Sequence, residues 1–218
     1  MPKQFDLIVF DWDGTLMDST ATIVHSIQGA CRDLGLAEPS DDAARHIIGL
    51  GLNEAIAYLL PQLPEAEYPH LVERYRYYFL AKDEAIPLFA GADLVVRDLH
   101  AAGFLLGVAT GKSRRGLDRA LDHTGLGAYF HATRCADECF SKPHPEMLEQ
   151  LMDELGTVRD RTLMIGDTSH DLLMAKNAGV ASLAVSYGAH ARKDLLTHSP
   201  LECVDTIQAM ESWLLANA

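Results

Sequence analysis

Two aspartates, Asp11 and Asp13, stand one residue apart directly after the apolar run at 5–10, and Gly14 follows at once. Carboxylates cost too much to be buried unpaired. Two of them at a strand end need a cation, a proton or a catalytic role. Standing alone, the pair would also fit an Asp-Gly turn with both acids in water. Other strand ends carry groups of the same kind. Thr110-Gly111-Lys112 follows a second apolar run, Lys142-Pro143 precedes a helical pattern, and Gly166-Asp167-Thr168-Ser169-His170-Asp171 follows a third run. Each is ordinary by itself: a turn, a surface lysine, a helix cap. Together they suit phosphoryl chemistry. Asp11, Asp167 and Asp171 are hard oxygen ligands of the kind Mg²⁺ takes. The Thr110 hydroxyl and the Gly111 amide can donate to phosphate oxygens, and Lys142 supplies a fixed positive charge.

The elements that must hold these groups can be read from periodicity. Apolar runs at 5–10, Phe104–Ala109, Thr162–Ile165 and Ala181–Val185 predict strands buried on both faces of a parallel sheet. Between them, Ala92–Ala102, Ser113–Thr124, Pro145–Leu155 and Leu172–Ala178 carry helical periodicity, and each stops at a glycine. Alternation of this kind predicts an α/β fold, with ligands bound outside the carboxyl ends of the strands. Residues 18–85 break the alternation. They offer four helical segments, Thr20–Leu34, Asp41–Ile48, Asn53–Leu60 and Glu65–Lys82, and no strand. A strand-to-strand crossover needs far fewer residues. The surplus predicts a helical insertion whose two ends, near Met17 and Ile86-Pro87, lie together as a hinge.

Composition bounds the possibilities. The chain of 218 residues has 18 Lys and Arg against 31 Asp and Glu, a formal charge of -13. That disfavours a nucleic-acid or anionic-membrane surface but not a small anion in a locally reversed field. No apolar run approaches the length of a membrane span. The N-terminus lacks the basic-then-apolar order of a secretory signal, so a cytoplasmic protein is expected. Cys135 and Cys139, with His131 and His144 nearby, lack the close spacing of a zinc site and are read as reduced thiols. A small phosphorylated metabolite is the expected partner, and the chain is expected to be a monomer or homodimer.

At this point the motifs resemble the haloacid dehalogenase-like hydrolase superfamily, in its phosphoglycolate phosphatase-like branch. Asp-Trp-Asp-Gly-Thr at 11–15, Thr110, Lys142-Pro143 and Gly166-Asp167-x₃-Asp171 match that family's four motifs in order. The resemblance implies a Rossmann-like three-layer core over 1–17 and 86–218, with a parallel sheet, and a small inserted helical cap over 18–85. It implies Asp11 as nucleophile, Asp13 as acid and base, and Thr110 and Lys142 as phosphate-holding catalytic groups. Mg²⁺ would sit on Asp11, Asp13 through its backbone carbonyl, Asp167 and, directly or through water, Asp171. An aspartate at position 13 marks the phosphatases of the family rather than its dehalogenases. Arg45 and the turn Gly49-Leu50-Gly51 resemble the cap segment that selects substrate in this branch. A phosphomutase acting on a sugar phosphate shares all four motifs and is the alternative. A non-catalytic regulatory module phosphorylated on aspartate is the alternative outside enzymes.

Overall fold

Strands built from unbroken apolar residues must be covered on both faces. The computed structural model, which describes residues 4–218, meets this with a six-stranded sheet. The first strand is Leu7–Phe10 (β1), buried at every position. The chain then passes through Thr20–Asp33 (α1), Asp41–His46 (α2), Leu52–Leu59 (α3) and Tyr68–Leu80 (α4). It re-enters the sheet by Ala92–Ala101 (α5) and Leu105–Thr110 (β2). Strand and helix then alternate through Arg114–Thr124 (α6), Ala132–Cys135 (β3), Glu146–Leu155 (α7), Thr162–Gly166 (β4) and Ser169–Ala178 (α8). Ala181–Val185 (β5), Arg192–Leu195 (α9), Cys203–Val204 (β6) and Ile207–Asn217 (α10) complete the chain.

The strand order is β3-β2-β1-β4-β5-β6, parallel throughout. The central β1 pairs with β2 on one side and β4 on the other, with Leu7 opposite both Leu105 and Thr162. Succession therefore reverses direction at β1, and the crevice at the carboxyl ends of β1, β2 and β4 is where such a sheet binds ligands. The α/β architecture with a parallel sheet expected from the alternation is what forms.

The departures from the sequence reading include two strands and the start of α8. β3 is Ala-Thr-Arg-Cys, half-buried at its centre because it lies at the sheet edge, so it has no apolar run to betray it. β6 has only two residues. Helix α8 begins at Ser169 rather than Leu172. The Thr168 hydroxyl accepts from the Asp171 amide while the Asp171 carboxylate accepts from the Thr168 amide, a reciprocal cap that starts the helix three residues earlier.

Of the helices between β1 and β2, α1, α2, α3 and α4 pack on one another, while α5 packs beside β2. α1 turns Ile23, Val24, Ile27, Ala30 and Cys31 inward and packs along α4, whose Leu71 and Phe79 are buried. The two segments that enter and leave α1–α4 run side by side. The Asp18 amide donates to Pro87 O at 3.0 Å and the Phe89 amide to Leu16 O at 2.9 Å. None of the described helices is long and apolar enough to cross a membrane.

Candidate active site

Asp11 leaves β1 with its amide still donating to Ile165 O of β4, at 2.9 Å, so the sheet itself fixes its backbone. Its carboxylate is fully buried. The Lys142 ammonium lies 2.8 Å from Oδ1, as an ion pair without hydrogen-bond directionality, and Oδ2 has no hydrogen-bonding partner among the described residues. Lys142 reaches this point from the loop after β3, through a cis peptide bond to Pro143, and also donates to Asp171 Oδ1 at 2.6 Å. Asp171 Oδ2 is taken by the Thr168 amide at 3.0 Å and hydroxyl at 2.6 Å. Asp167 Oδ1 accepts from Thr15 Oγ1 at 2.8 Å and Oδ2 from the Ala189 amide at 2.7 Å. Two glycines clear its surroundings. A Cβ at Gly14 (φ +82°) or at Gly188 would fall 2.2 Å from Asp167 Oδ2.

Oxygens of Asp11, Asp167 and Asp171 lie within 4.8 Å of one another, all buried. Burial pushes the Asp11 carboxyl well above its ordinary range; Lys142 opposes that, and Asp171 and Asp167 reinforce it. Burial, then Asp171, push Asp167 up to about 7. Burial would lower Lys142, but the Asp11 and Asp171 carboxylates outweigh it and hold the ammonium charged. Three buried carboxylates against one ammonium leave a negative excess. The orphaned Asp11 Oδ2 and the all-oxygen donor set fit a hard divalent cation.

The other predicted residues make contacts of their own. Asp13 Oδ1 accepts from Ser19 Oγ at 2.6 Å and pairs with Lys112 Nζ at 3.0 Å. Thr110 is buried at the end of β2, its hydroxyl accepting from the Lys112 amide at 3.2 Å. The turn at 49–51 lies against the core loops. Gly51 donates its amide to Ser141 Oγ at 2.7 Å, and Gly49 (φ +92°) faces the Thr168 side chain. A Cβ on Gly111 would sit 2.4 Å from Leu50 O. Arg45, in the last turn of α2, is half-buried and has no side-chain partner among the described residues.

Three histidines that sequence reasoning left without a role secure this approach. His170 and His190 both point Nε2 at the His46 carbonyl of α2, at 2.7 and 3.2 Å. His190 Nδ1 accepts from the Ser169 amide, which leaves its proton on Nε2 to donate. The His46 and His190 rings stack with centroids 5.3 Å apart. Burial lowers His190 to about 4, so it is neutral at pH 7, as both bonds require. Thr15 and Lys112 stand inside motifs read from the sequence but had no role there, and Ser19 and Gly188 were missed. The signal for Thr15 and Lys112 was membership of those two motifs; Ser19 and Gly188 had none. A cavity of about 560 Å³ lined by Met17, Leu80, Asp83 and Arg119 lies beside the crossing segments and holds none of the buried carboxylates.

Residues 8–185 match the family described as haloacid dehalogenase-like hydrolase. The chain is 36% identical over 206 residues to a Dickeya dadantii protein named "Probable phosphatase IndB", covering 92% of this chain and 89% of that one. It is 33% identical over 189 residues to the phosphoglycolate phosphatase of Agrobacterium fabrum, covering 84% and 81%. In three dimensions it superposes on a hydrolase from Pseudomonas syringae with a TM-score of 0.89, over 97% of this chain and 98% of that one, at 19% identity, a likeness of fold alone. On the extent of the family match and the identity to these relatives, the chain belongs to the haloacid dehalogenase-like hydrolases.

Proposed function

We propose that this hydrolase is a Mg²⁺-dependent phosphatase that cleaves a small phosphomonoester through an aspartyl-phosphate on Asp11. The observation that carries this reading is the Asp11 carboxylate, buried, unpartnered at Oδ2 and faced by Lys142 at Oδ1. A carboxylate stripped of water is a better nucleophile than a solvated one. Asp11 attacks phosphorus as the ester P–O bond breaks, and Asp13 gives its proton to the leaving oxygen. Asp13 then takes a proton from the water that attacks phosphorus and frees Asp11. Thr110, Gly111 and Lys142 hold the phosphoryl oxygens. Asp11, Asp167 and the Asp13 carbonyl would hold the Mg²⁺, which supplies charge neutralisation. Asp171 has both oxygens engaged by Lys142 and Thr168, so it serves first to aim Lys142.

Magnitude argues for the cation. Like charges 4 Å apart repel by about 4 kcal/mol at an effective dielectric of about 20, and a phosphate dianion would meet several such pairs. The helical segment over 18–85 is the lid, hinged where Asp18 meets Pro87, and its turn at 49–51 with Arg45 faces the substrate. Phosphoglycolate is the first substrate to try, since a relative carries its name. The test is release of inorganic phosphate from a panel of phosphometabolites with Mg²⁺ and after exhaustive EDTA treatment. Release that stops with EDTA is expected. Undiminished release would remove the metal from the reading, and an isomerised sugar phosphate without free phosphate would make the protein a mutase.

A further inference from the structure

Helix α2 ends at His46, and a helix end leaves its last carbonyls without intrahelical partners. The His46 carbonyl meets two imidazoles from outside the 18–85 segment, His170 Nε2 at 2.7 Å and His190 Nε2 at 3.2 Å. Both imidazole side chains are buried. They are rooted on two segments that frame Asp167. His170 follows it at the start of α8. His190 Nδ1 accepts from the Ser169 amide at 3.0 Å, and the His190 amide donates to Asp167 O at 3.3 Å. The Ala189 amide donates to Asp167 Oδ2 at 2.7 Å. The same loop reaches the other oxygen of Asp167 through Thr15. The Tyr187 hydroxyl donates to Thr15 O at 3.0 Å, and Thr15 Oγ1 donates to Asp167 Oδ1 at 2.8 Å. Residues 187–190 thus bear on both Asp167 oxygens and on α2 at once, and the four motifs leave this loop out.

We propose that His190, with His170, is a positioning residue that couples the seating of α2 to the grip of Asp167 on Mg²⁺. The proposal rests on the reading of Asp167 as a Mg²⁺ ligand and of 18–85 as a lid. With α2 seated, the His46 carbonyl fixes the His190 ring, and the ring fixes the 189–190 backbone against Asp167. With α2 lifted, the carbonyl and both imidazole N–H groups lose their partners. A buried polar group left unpaired is costly. His190 must then turn to water, and that move loosens the backbone that donates to Asp167. Coupling between two sites is reciprocal. If a seated α2 tightens Mg²⁺ binding, bound Mg²⁺ holds α2 down by the same factor. Neutral hydrogen bonds set its size, about twofold to tenfold for each. The lid then closes most firmly over a loaded site, where the charge of an incoming phosphate is already compensated.

The experiment uses the full chain as wild type, His190→Gln, His190→Asn and Asp167→Asn. A glutamine amide reaches where Nε2 stands and can still donate to the His46 carbonyl. The shorter asparagine reaches only where Nδ1 stands, so it can keep the Ser169 amide but must release α2. Calorimetry reads Mg²⁺ affinity, and hydrogen exchange reads the amides of 41–60 with Mg²⁺ and with EDTA. In wild type, Mg²⁺ should slow exchange over 41–60 by about twofold to tenfold. His190→Asn should weaken Mg²⁺ binding by a similar factor, and Mg²⁺ should no longer slow that exchange. His190→Gln should stay near wild type in both. If His190→Asn does not fold, His170→Leu carries the same expectation, since it removes the other bond to the same carbonyl. Unchanged Mg²⁺ affinity in the asparagine variant would overturn the proposal, even if α2 exchanges faster. Equal losses in the glutamine variant would do the same, because ring packing and not the bond would then be responsible. If wild type binds no Mg²⁺, or Asp167→Asn binds it equally well, the reading of the metal site fails and the coupling falls with it. If Asp167→Asn loses Mg²⁺ while His190→Asn binds it as wild type does, only the coupling fails.

Discussion

Asp11 is an electrostatic burden to the fold for the same reason that it is reactive. As an anion it stands between two other buried carboxylates with one oxygen unpartnered, and Lys142 answers only part of that charge. Asp11→Asn should therefore abolish phosphate release, a loss of several orders of magnitude as for removal of a covalent nucleophile. It should leave the melting temperature unchanged or higher, because Asn keeps the shape and removes the charge. Turnover near wild type would take Asp11 out of the nucleophile role, and a collapse of stability would show that the charge is needed for folding. That Asp11, Lys142, Asp167 and Asp171 meet was legible in the sequence, because each follows, or leads back from, the end of a parallel strand. The partners of Asp13 were not. Ser19 and Lys112 reach it through rotamers and loop paths that periodicity does not encode, and Thr15 and Ala189 reach Asp167 in the same way.

At the level of elements, the decisive contact is between the turn at 49–51 and the loops that follow β2 and β3. Gly111 is the point of closest approach, and the obstacle to any side chain there is backbone, Leu50 O and Gly49 O, rather than a movable group. Gly111→Ala should hold the turn off the core by about 1 Å, a displacement that can cost about a hundredfold in turnover. The fold should survive, since no buried apolar contact is removed. Steady-state kinetics with a melting curve check this, and wild-type turnover would show that the turn need not seat so closely. The sequence announced the helices within 18–85 by a stretch without strands. It could not announce the histidine contacts. His46, His170 and His190 lie far apart in the chain and meet only when α2 settles on α8 and the loop after β5. Edge strand β3 escaped for the opposite reason: half-buried Thr133 and Arg134 interrupt its apolar pattern.

At the scale of the whole molecule, the formal charge of -13 includes three buried carboxylates with oxygens within 4.8 Å of one another, so protons and a divalent cation must compete there. The sign follows from Asp167. Its carboxyl titrates at about 7 in the folded protein against 3.8 for an ordinary aspartate. The folded state thus binds this proton more tightly than the unfolded chain does. Without metal, the contribution is favourable below the unfolded value and is lost as pH rises through about 7. Asp11, also raised by burial, adds in the same direction. A cation needs these carboxylates ionised. Mg²⁺ should therefore stabilise little at about pH 5.5 and most above about pH 8, opposite to the trend of the metal-free protein. At a hundred times its dissociation constant a ligand adds about 2.7 kcal/mol. For a chain of this size that is a rise of about 5–10 °C in melting temperature. Thermal melts across that pH range, with Mg²⁺ and with EDTA, read the effect without reference to activity. An increment independent of pH would mean that Mg²⁺ binds elsewhere on the acidic surface, and no increment at any pH would leave the buried carboxylates without the cation their arrangement calls for.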